Sequence, residues 1–382
     1  MLLRCVFVGL LAIAWLVMTA LWLRTAGGLG GRAAAWLVVA GASVSLPVVL
    51  LTSYVLDSLH WSTVVKANGV PTALLATLGI VSPLEHASLV VVIWPMLRAH
   101  RLERLAVAIS AGALAAAGFG LVHSMAVAIT ATSNWALTRV AASLLSRTFC
   151  AAMWSGCLAT SHGRYRRWFG LVWLLSVCLD GLVRHLHEGY GAAWQVLTIP
   201  ILLVMLLVAW MVRSRLSGER ESLAFVHHSR LGILVDPHGI GTMRAAWQHP
   251  HRPALLHWIV GGSFVCFGAN IVGLAVGVGI AKLLHIDLSR VNEAEVGAIA
   301  PLSLLAVVIL LSFALSGYLT AKASAADSVF EPGIAAFISI VALTVLLSLS
   351  APVTIVLALV LAPVAFALAC FGAWLGLSPS EH

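Results

Sequence analysis

Charged residues are scarce in this chain of 382 residues, of which Asp, Glu, Lys and Arg together make up only 9%. An ordinary soluble domain carries about 25%, so this composition excludes a soluble globular protein. The 14 acidic residues are outnumbered by 22 Lys and Arg, which gives a net charge of 22 − 14 = +8. Most basic residues lie in short segments between apolar runs, as in the cytoplasmic loops of membrane proteins. We therefore expect the lipid bilayer as a partner and no nucleic acid.

Cysteine is also sparse, with six residues and no CxxC pair. All six lie within or beside apolar runs: Cys5, Cys150, Cys157, Cys178, Cys266 and Cys370. This pattern excludes a disulfide framework and a zinc knuckle, which need closely spaced or paired cysteines. We interpret the six cysteines as reduced packing residues.

Long apolar runs are abundant, since 61% of the residues are hydrophobic and the mean hydropathy is +1.03. A transmembrane helix needs about 20 mainly apolar residues. Eleven stretches satisfy this rule: 2–23, 33–56, 71–97, 104–130, 135–159, 167–187, 193–212, 254–281, 299–321, 332–350 and 352–377. The fold class predicted is all-α, a polytopic α-helical membrane protein with about eleven transmembrane helices. Pro83 is expected to break the third stretch, because proline removes a helical hydrogen bond.

The arginines predict the orientation of the chain. Three follow the third stretch, three the fifth and six the seventh, whereas the opposite segments hold only Lys66, Lys282 and Arg290. Basic loops are cytoplasmic as a rule, so the N-terminus is predicted outside and the C-terminus in the cytoplasm. The longest polar stretch divides the chain into a seven-span part, 1–213, a cytoplasmic connector, 214–253, and a four-span part, 254–382.

Ionisable residues inside the apolar stretches are the main functional signal, because a charge at that depth is costly and marks a function or a partner. Six such residues lie in the third to sixth stretches: Glu85, His86, His123, Arg147, Asp180 and Arg184. Two carboxylates and two imidazoles are suitable zinc ligands. The first hypothesis is therefore a zinc site formed by Glu85, His86, His123 and Asp180. A bound zinc could generate hydroxide at neutral pH for peptide-bond hydrolysis within the membrane.

Ion pairing is the alternative. Glu85 and Asp180 carry two negative charges, Arg147 and Arg184 carry two positive charges, and Asp180 and Arg184 are four residues apart on one helix face. The two histidines would then be neutral hydrogen-bonding residues between helices. A pathway for a substrate or for protons is a third possibility, and only Pro83 and Pro200 hint at the broken helices of a transporter.

The order of these residues resembles the PrsW family of intramembrane metalloproteases. The segment Pro83–His86 is followed by an apolar run, a basic turn and then Gly118–Ser124, which ends a helix rich in small residues. The family has P-x-E-E-x-x-K and G-F-x-x-x-E-N at these places. Its later motifs correspond to Cys150–Trp154 and Asp180–Arg184. The resemblance covers roughly residues 70 to 190, and the F-x-x-x-H pattern of the related CAAX-protease family is also present, at Phe119 to His123.

Several motif positions differ from the family pattern. His86 stands in place of the second glutamate, Leu89 in place of the lysine and His123 in place of the later glutamate. The resemblance implies Glu85 and His86 as catalytic residues, and the imidazole of His86 could serve as general base in place of the family's second glutamate. It also implies zinc held by Glu85, His86, His123 and Asp180. The expected protein is a diverged intramembrane metalloprotease of a bacterial inner (plasma) membrane that cleaves membrane-embedded substrates, or a non-catalytic relative that binds or senses partner membrane proteins.

Overall fold

The structure is a computed structural model that describes residues 2–25, 29–58, 70–98, 104–130, 136–159, 168–188, 198–218, 256–288, 299–324, 329–348 and 354–376. Within these ranges the regular elements are helices, and no strand occurs. The predicted all-α fold is therefore confirmed. Most of the predicted connector, 214–253, lies outside the described residues, and only its first five residues belong to a described helix.

The helices follow the apolar stretches closely. In chain order they are α1 (Leu2–Thr25), α2 (Gly31–Ser58), α3 (Val70–Ala76), a π-helical segment (Thr77–Val81), α4 (Ser82–Ile93), α5 (Pro95–Arg98), α6 (Leu105–Thr130), α7 (Ala136–Gly156), α8 (Phe169–Glu188), α9 (Thr198–Gly218), α10 (Leu256–Leu283), α11 (Ile299–Ser324), α12 (Phe330–Ser348) and α13 (Thr354–Gly376).

Six helical segments among the described residues are long and apolar enough to cross a membrane: Gly31–Ser53, Ala73–Ile93, Leu105–Val127, Phe169–His187, Trp258–Leu283 and Ser303–Ala323. Shorter apolar segments occur in α1, α9, α12 and α13. At 1.5 Å per residue each of these segments is long enough to span the hydrocarbon core of a bilayer, which supports a polytopic integral membrane protein. The number of eleven spans stays a prediction.

Pro83 was expected to break the third stretch, but residues 70–93 stay helical, and the irregularity there is the π-helical segment Thr77–Val81, directly before α4. Pro83 lies in the first turn of α4 and has no N–H to donate to the preceding turn, so the helix widens there. The segment lies against α8: the Ser82 hydroxyl donates to the Val177 carbonyl over 2.9 Å. A Cβ at Gly181 would meet the Leu78 side chain at 2.7 Å, so glycine permits this close approach.

Small residues also bring α2, α6 and α7 together. A Cβ at Gly41 would collide with the Ala115 carbonyl, and one at Gly118 would collide with the Val38 carbonyl. A Cβ at Gly112 would likewise collide with the Ala151 carbonyl of α7. Backbones at this separation gain dispersion contacts that larger side chains would prevent.

The C-terminal helices share a hydrophobic core with the N-terminal part. Trp94 meets Trp258 of α10 edge to face, with ring centroids 6.1 Å apart, and its indole N–H donates to the Leu319 carbonyl of α11 over 3.2 Å. Gly268 of α10 lies against the Ala87 carbonyl of α4. Residues 1–213 and 254–382, which were predicted as separate parts, therefore pack through a common interface.

Candidate functional site

Glu85 forms the centre of a buried charge cluster. Its side chain lies in the first turn of α4 and is 1% exposed. Arg147 donates to Oε2 from Nε over 3.1 Å and from Nη2 over 2.6 Å. Arg184 donates to Oε1 from Nη1 over 2.9 Å and to Oε2 from Nη2 over 2.5 Å. One carboxylate thus receives four hydrogen bonds from two guanidinium groups, the strongest class of charged hydrogen bond in proteins.

The two arginines approach Glu85 from different helices. Arg147 of α7 is fully buried, and its guanidinium lies 5.1 Å from the centre of the Phe119 ring of α6. A cation over an aromatic face gains electrostatic attraction when it is removed from water. Arg184 lies on α8 one turn after Asp180, and its Nη2 is 3.8 Å from Asp180 Oδ2. Arg184 therefore contacts both carboxylates of the cluster.

Asp180 is the second buried acid, with 1% of the residue exposed. The Ser146 hydroxyl donates to its Oδ1 over 2.6 Å, and the Ser82 hydroxyl lies 3.4 Å from its Oδ2. His86 Nε2 is also 3.4 Å from Oδ2. These groups come from α4, α7 and α8, so Asp180 connects the three helices.

The tautomer of His86 follows from its other neighbour. The Trp154 indole N–H donates to His86 Nδ1 over 3.1 Å. An indole nitrogen can only donate, so Nδ1 must accept and the imidazole proton resides on Nε2. His86 Nε2 lies 3.4 Å from Asp180 Oδ2 but forms no hydrogen bond with any described residue, so this contact is electrostatic. Neither ring nitrogen then presents a lone pair to a third group.

His123 is the least buried member of the cluster. Its Nδ1 lies 3.5 Å from Glu85 Oε1, and 16% of its side chain is exposed. The ring stacks on Phe119 with centroids 6.3 Å apart. His123 therefore touches the charge cluster on one side and a small pocket on the other.

That pocket lies between α6, α7 and α8. His123 and Ser124 contribute from α6, Arg139 and Ser143 from α7, and Arg184 and His187 from α8, together with apolar side chains. It has room for roughly one water-sized molecule.

All four residues of the predicted zinc site belong to this cluster, but as two separate pairs. His123 is next to Glu85, and His86 is next to Asp180. Within the described part of the chain, no group of three or more His, Cys, Asp or Glu side chains converges on a point where a metal could lie. In this arrangement both oxygens of Glu85 accept hydrogen bonds from arginines and His86 Nδ1 accepts one from Trp154, so the residues do not fit a zinc ion. Zinc binding therefore stays a prediction.

Four residues that position the cluster were absent from the predicted site. Ser82, Ser146 and Trp154 hydrogen-bond to its members, and Phe119 stacks against two of them. A sequence signal existed for Ser82, which lies one helical turn before His86 and therefore shares its helix face.

No protein-family model matches this chain, and no curated protein or solved structure matches it either. The similarity to the PrsW family therefore stays a prediction from the motif order between residues 70 and 190.

Proposed function

We propose that this protein is a non-catalytic, PrsW-like membrane protein with about eleven spans, which binds or senses partner membrane proteins. Its buried charges serve as structural ion pairs that hold α4, α7 and α8 in register. The observation that carries the proposal is the contact of two guanidinium groups with the single carboxylate of Glu85.

Charge balance supports a structural role. Glu85 and Asp180 contribute two negative charges, and Arg147 and Arg184 contribute two positive charges, so the cluster sums to 2 − 2 = 0. A neutral network avoids the cost of an isolated charge within a membrane. Each carboxylate also has several hydrogen-bond donors, which offset its desolvation.

The same arginines oppose metal catalysis. Two unit charges of the same sign at about 4 Å repel by about 4 kcal/mol at an effective dielectric constant of 20. A zinc ion bound to Glu85 would be repelled by both Arg147 and Arg184. Because zinc carries two positive charges, each repulsion would be about twice as large as for two unit charges. A general base also needs a free lone pair within reach of water, whereas His86 is held between Trp154 and Asp180.

A diverged intramembrane metalloprotease is the second candidate. Its support is that Glu85, His86, His123 and Asp180 lie in one connected cluster, with contacts of 3.4 and 3.5 Å. In that case Glu85 and His86 would be the catalytic residues, and rearrangement of the two arginines would have to free the ligands for zinc. The substrate would be a membrane-embedded protein of a bacterial inner membrane, with the N-terminus of the enzyme outside and its C-terminus in the cytoplasm.

Metal analysis separates the two candidates. Protein is purified as wild type, Glu85→Ala and His123→Ala, and zinc per chain is measured after dialysis against a weak chelator. We expect a low and equal zinc content in all three. One zinc per wild-type chain that both substitutions remove would refute the ion-pair proposal and favour the protease.

A second measurement addresses binding. Photo-crosslinking in native membranes from residues on the membrane-facing side, such as Leu174 or Leu203, should trap partner proteins at their full length. Recovery of shortened fragments that become full-length in Glu85→Gln would instead indicate cleavage.

A further inference from the structure

The pocket beside His123 matches a single water molecule in size and in chemistry. Its room for roughly one water-sized molecule excludes a larger ligand. The polar part of the lining is mixed: it holds the hydroxyl groups of Ser124 and Ser143, the imidazoles of His123 and His187, and two guanidinium groups. Hydroxyls and neutral imidazoles both donate and accept hydrogen bonds, whereas guanidinium groups only donate. Water can meet all of these groups, and about three partners suffice for a buried water.

Two of the lining residues are placed where a water would complete their hydrogen bonds. Ser124 lines the pocket although only 2% of the residue is exposed, so its hydroxyl has little access to bulk solvent. His123 Nδ1 lies 3.5 Å from Glu85 Oε1 but has no hydrogen-bond partner among the described residues. The pocket lies on the other side of this ring, where Nε2 is the available nitrogen. Buried polar groups are paired as a rule, either with protein groups or with ordered water.

The other histidine of the charge cluster has different surroundings. His86 is 0% exposed and does not line the pocket. Its Nδ1 accepts the indole N–H of Trp154, which is fully buried and meets Phe169 edge to face, with ring centroids 6.1 Å apart. Aromatic rings therefore enclose the cluster on the His86 side, whereas a water-sized space borders it on the His123 side.

The pocket is close to one end of the helix bundle. Ser143 is seven residues after the start of α7, and His187 is one residue before the end of α8. At a rise of 1.5 Å per residue, Ser143 is about 10 Å from the start of its helix. Trp154 is two residues before the end of α7 and thus near the opposite end. The two histidines therefore face opposite ends of the bundle.

We propose that this pocket binds one ordered water, which hydrogen-bonds to His123 and to the hydroxyl groups of Ser124 and Ser143. The water completes the polar network of Glu85 on this side, while His86 stays dry on the other. Water thus reaches the charge cluster from one side of the membrane only. This arrangement opposes a continuous pathway for protons or for a polar substrate through the cluster.

The test is hydroxyl-radical footprinting of the full-length protein in an uncharged maltoside detergent. X-ray pulses split water, radicals formed at a bound water oxidise the adjacent side chains, and mass spectrometry measures the oxidation of each histidine. We expect dose-dependent oxidation of His123 and only background oxidation of His86. Ser143→Leu fills the pocket, so the oxidation of His123 should fall. Ala141→Leu, at an exposed position of the same helix outside the pocket, is the matched control and should leave it unchanged.

Two results of the footprinting would overturn the proposal. One is oxidation of His123 that persists in Ser143→Leu, which would place the water outside the pocket. The other is equal oxidation of His86 and His123. If Ser143→Leu does not fold, the smaller Ser143→Val takes its place.

A crystal structure from a bromide-containing buffer gives an independent readout. We expect density for one water within hydrogen-bond distance of His123. An anomalous bromide peak at that position would identify an anion site and refute the proposal.

Discussion

At the scale of single residues, Glu85 is the side chain on which most of the buried polar contacts converge. Arg147 and Arg184 bind it directly, and His123 lies 3.5 Å away. Such a carboxylate is tolerated in the membrane because the adjacent arginines neutralise its charge. Removal of one partner is therefore more damaging than removal of a matched pair.

Glu85→Gln should strongly destabilise the protein. The substitution leaves two arginines against the single charge of Asp180, and breaking a buried pair in this way costs about 3–5 kcal/mol. The free energy of unfolding in detergent, measured with a chemical denaturant, checks this value. Arg104→Gln is the control, and a change within about 0.5 kcal/mol is expected there because Arg104 is exposed.

The double variant Glu85→Gln, Arg147→Met sharpens that test. It keeps Asp180 beside Arg184, so the cluster returns to a charge of 1 − 1 = 0. We expect it to be more stable than Glu85→Gln alone, since coupled residues show non-additive effects. If the double variant loses as much unfolding free energy as Glu85→Gln and Arg147→Met lose in total, the charges act independently.

Trp154→Phe should cost about 1 kcal/mol more than its control, because it removes the hydrogen bond that holds His86. Trp173→Phe is a matched control, since the Trp173 indole nitrogen is buried but has no hydrogen-bond partner among the described residues. The difference in unfolding free energy between the two variants measures the hydrogen bond. Equal losses would mean that the Trp154 contact contributes no more than its ring packing.

At the scale of the helices, two features place the charged residues in contact. The π-helical segment before Pro83 sets the rotation of α4, and small residues let α6 approach both α2 and α7. An irregularity of the helix near Pro83 was predictable because proline removes a helical hydrogen bond. The match of Gly41 to Ala115 and of Gly118 to Val38 was not, because it depends on which helices become neighbours.

Gly118→Ala should separate α2 from α6. Its new Cβ would collide with the Val38 backbone, which cannot move aside like a flexible side chain, so a loss of about 1–3 kcal/mol is expected. Gly279→Ala in α10 is the control, because a Cβ there meets no atom within 4 Å. Alanine favours a helix over glycine by about 1 kcal/mol, so that variant should be neutral or slightly more stable. Thermal unfolding of both variants side by side checks the prediction, and equal stability would contradict it.

At the scale of the whole molecule, the C-terminal helices belong to the same packed body as the N-terminal ones. Trp94 contacts Trp258 of α10 and hydrogen-bonds to Leu319 of α11. Hydropathy alone suggested a division at the polar stretch 214–253, which marks a change in polarity along the chain. Contacts between helices that are more than 150 residues apart do not follow from such a local measure.

The two halves should therefore stay together when the chain is cut. A specific protease site inserted between residues 230 and 240 allows cleavage in detergent, and we expect both fragments to copurify on a tag at one end. Gly268→Leu should weaken this association, because its side chain would collide with the Ala87 carbonyl of α4. Gly279→Leu is the matched control with open space around it. Fragments that separate in the unsubstituted protein would contradict the shared core.

The sequence by itself determined the all-α fold, the approximate positions of the helices and the six ionisable residues of the cluster, although not the buried His185 and Glu331. These depend on hydropathy and length, which are properties of short segments. It left open whether Glu85 and Asp180 face a metal or two arginines, because the same six side chains suit both. Only the tertiary structure decided that Arg147 and Arg184 both contact Glu85 while His86 turns to Asp180. The physical reason is that these pairings depend on the rotation and height of α4, α7 and α8 relative to one another, which packing between distant segments sets.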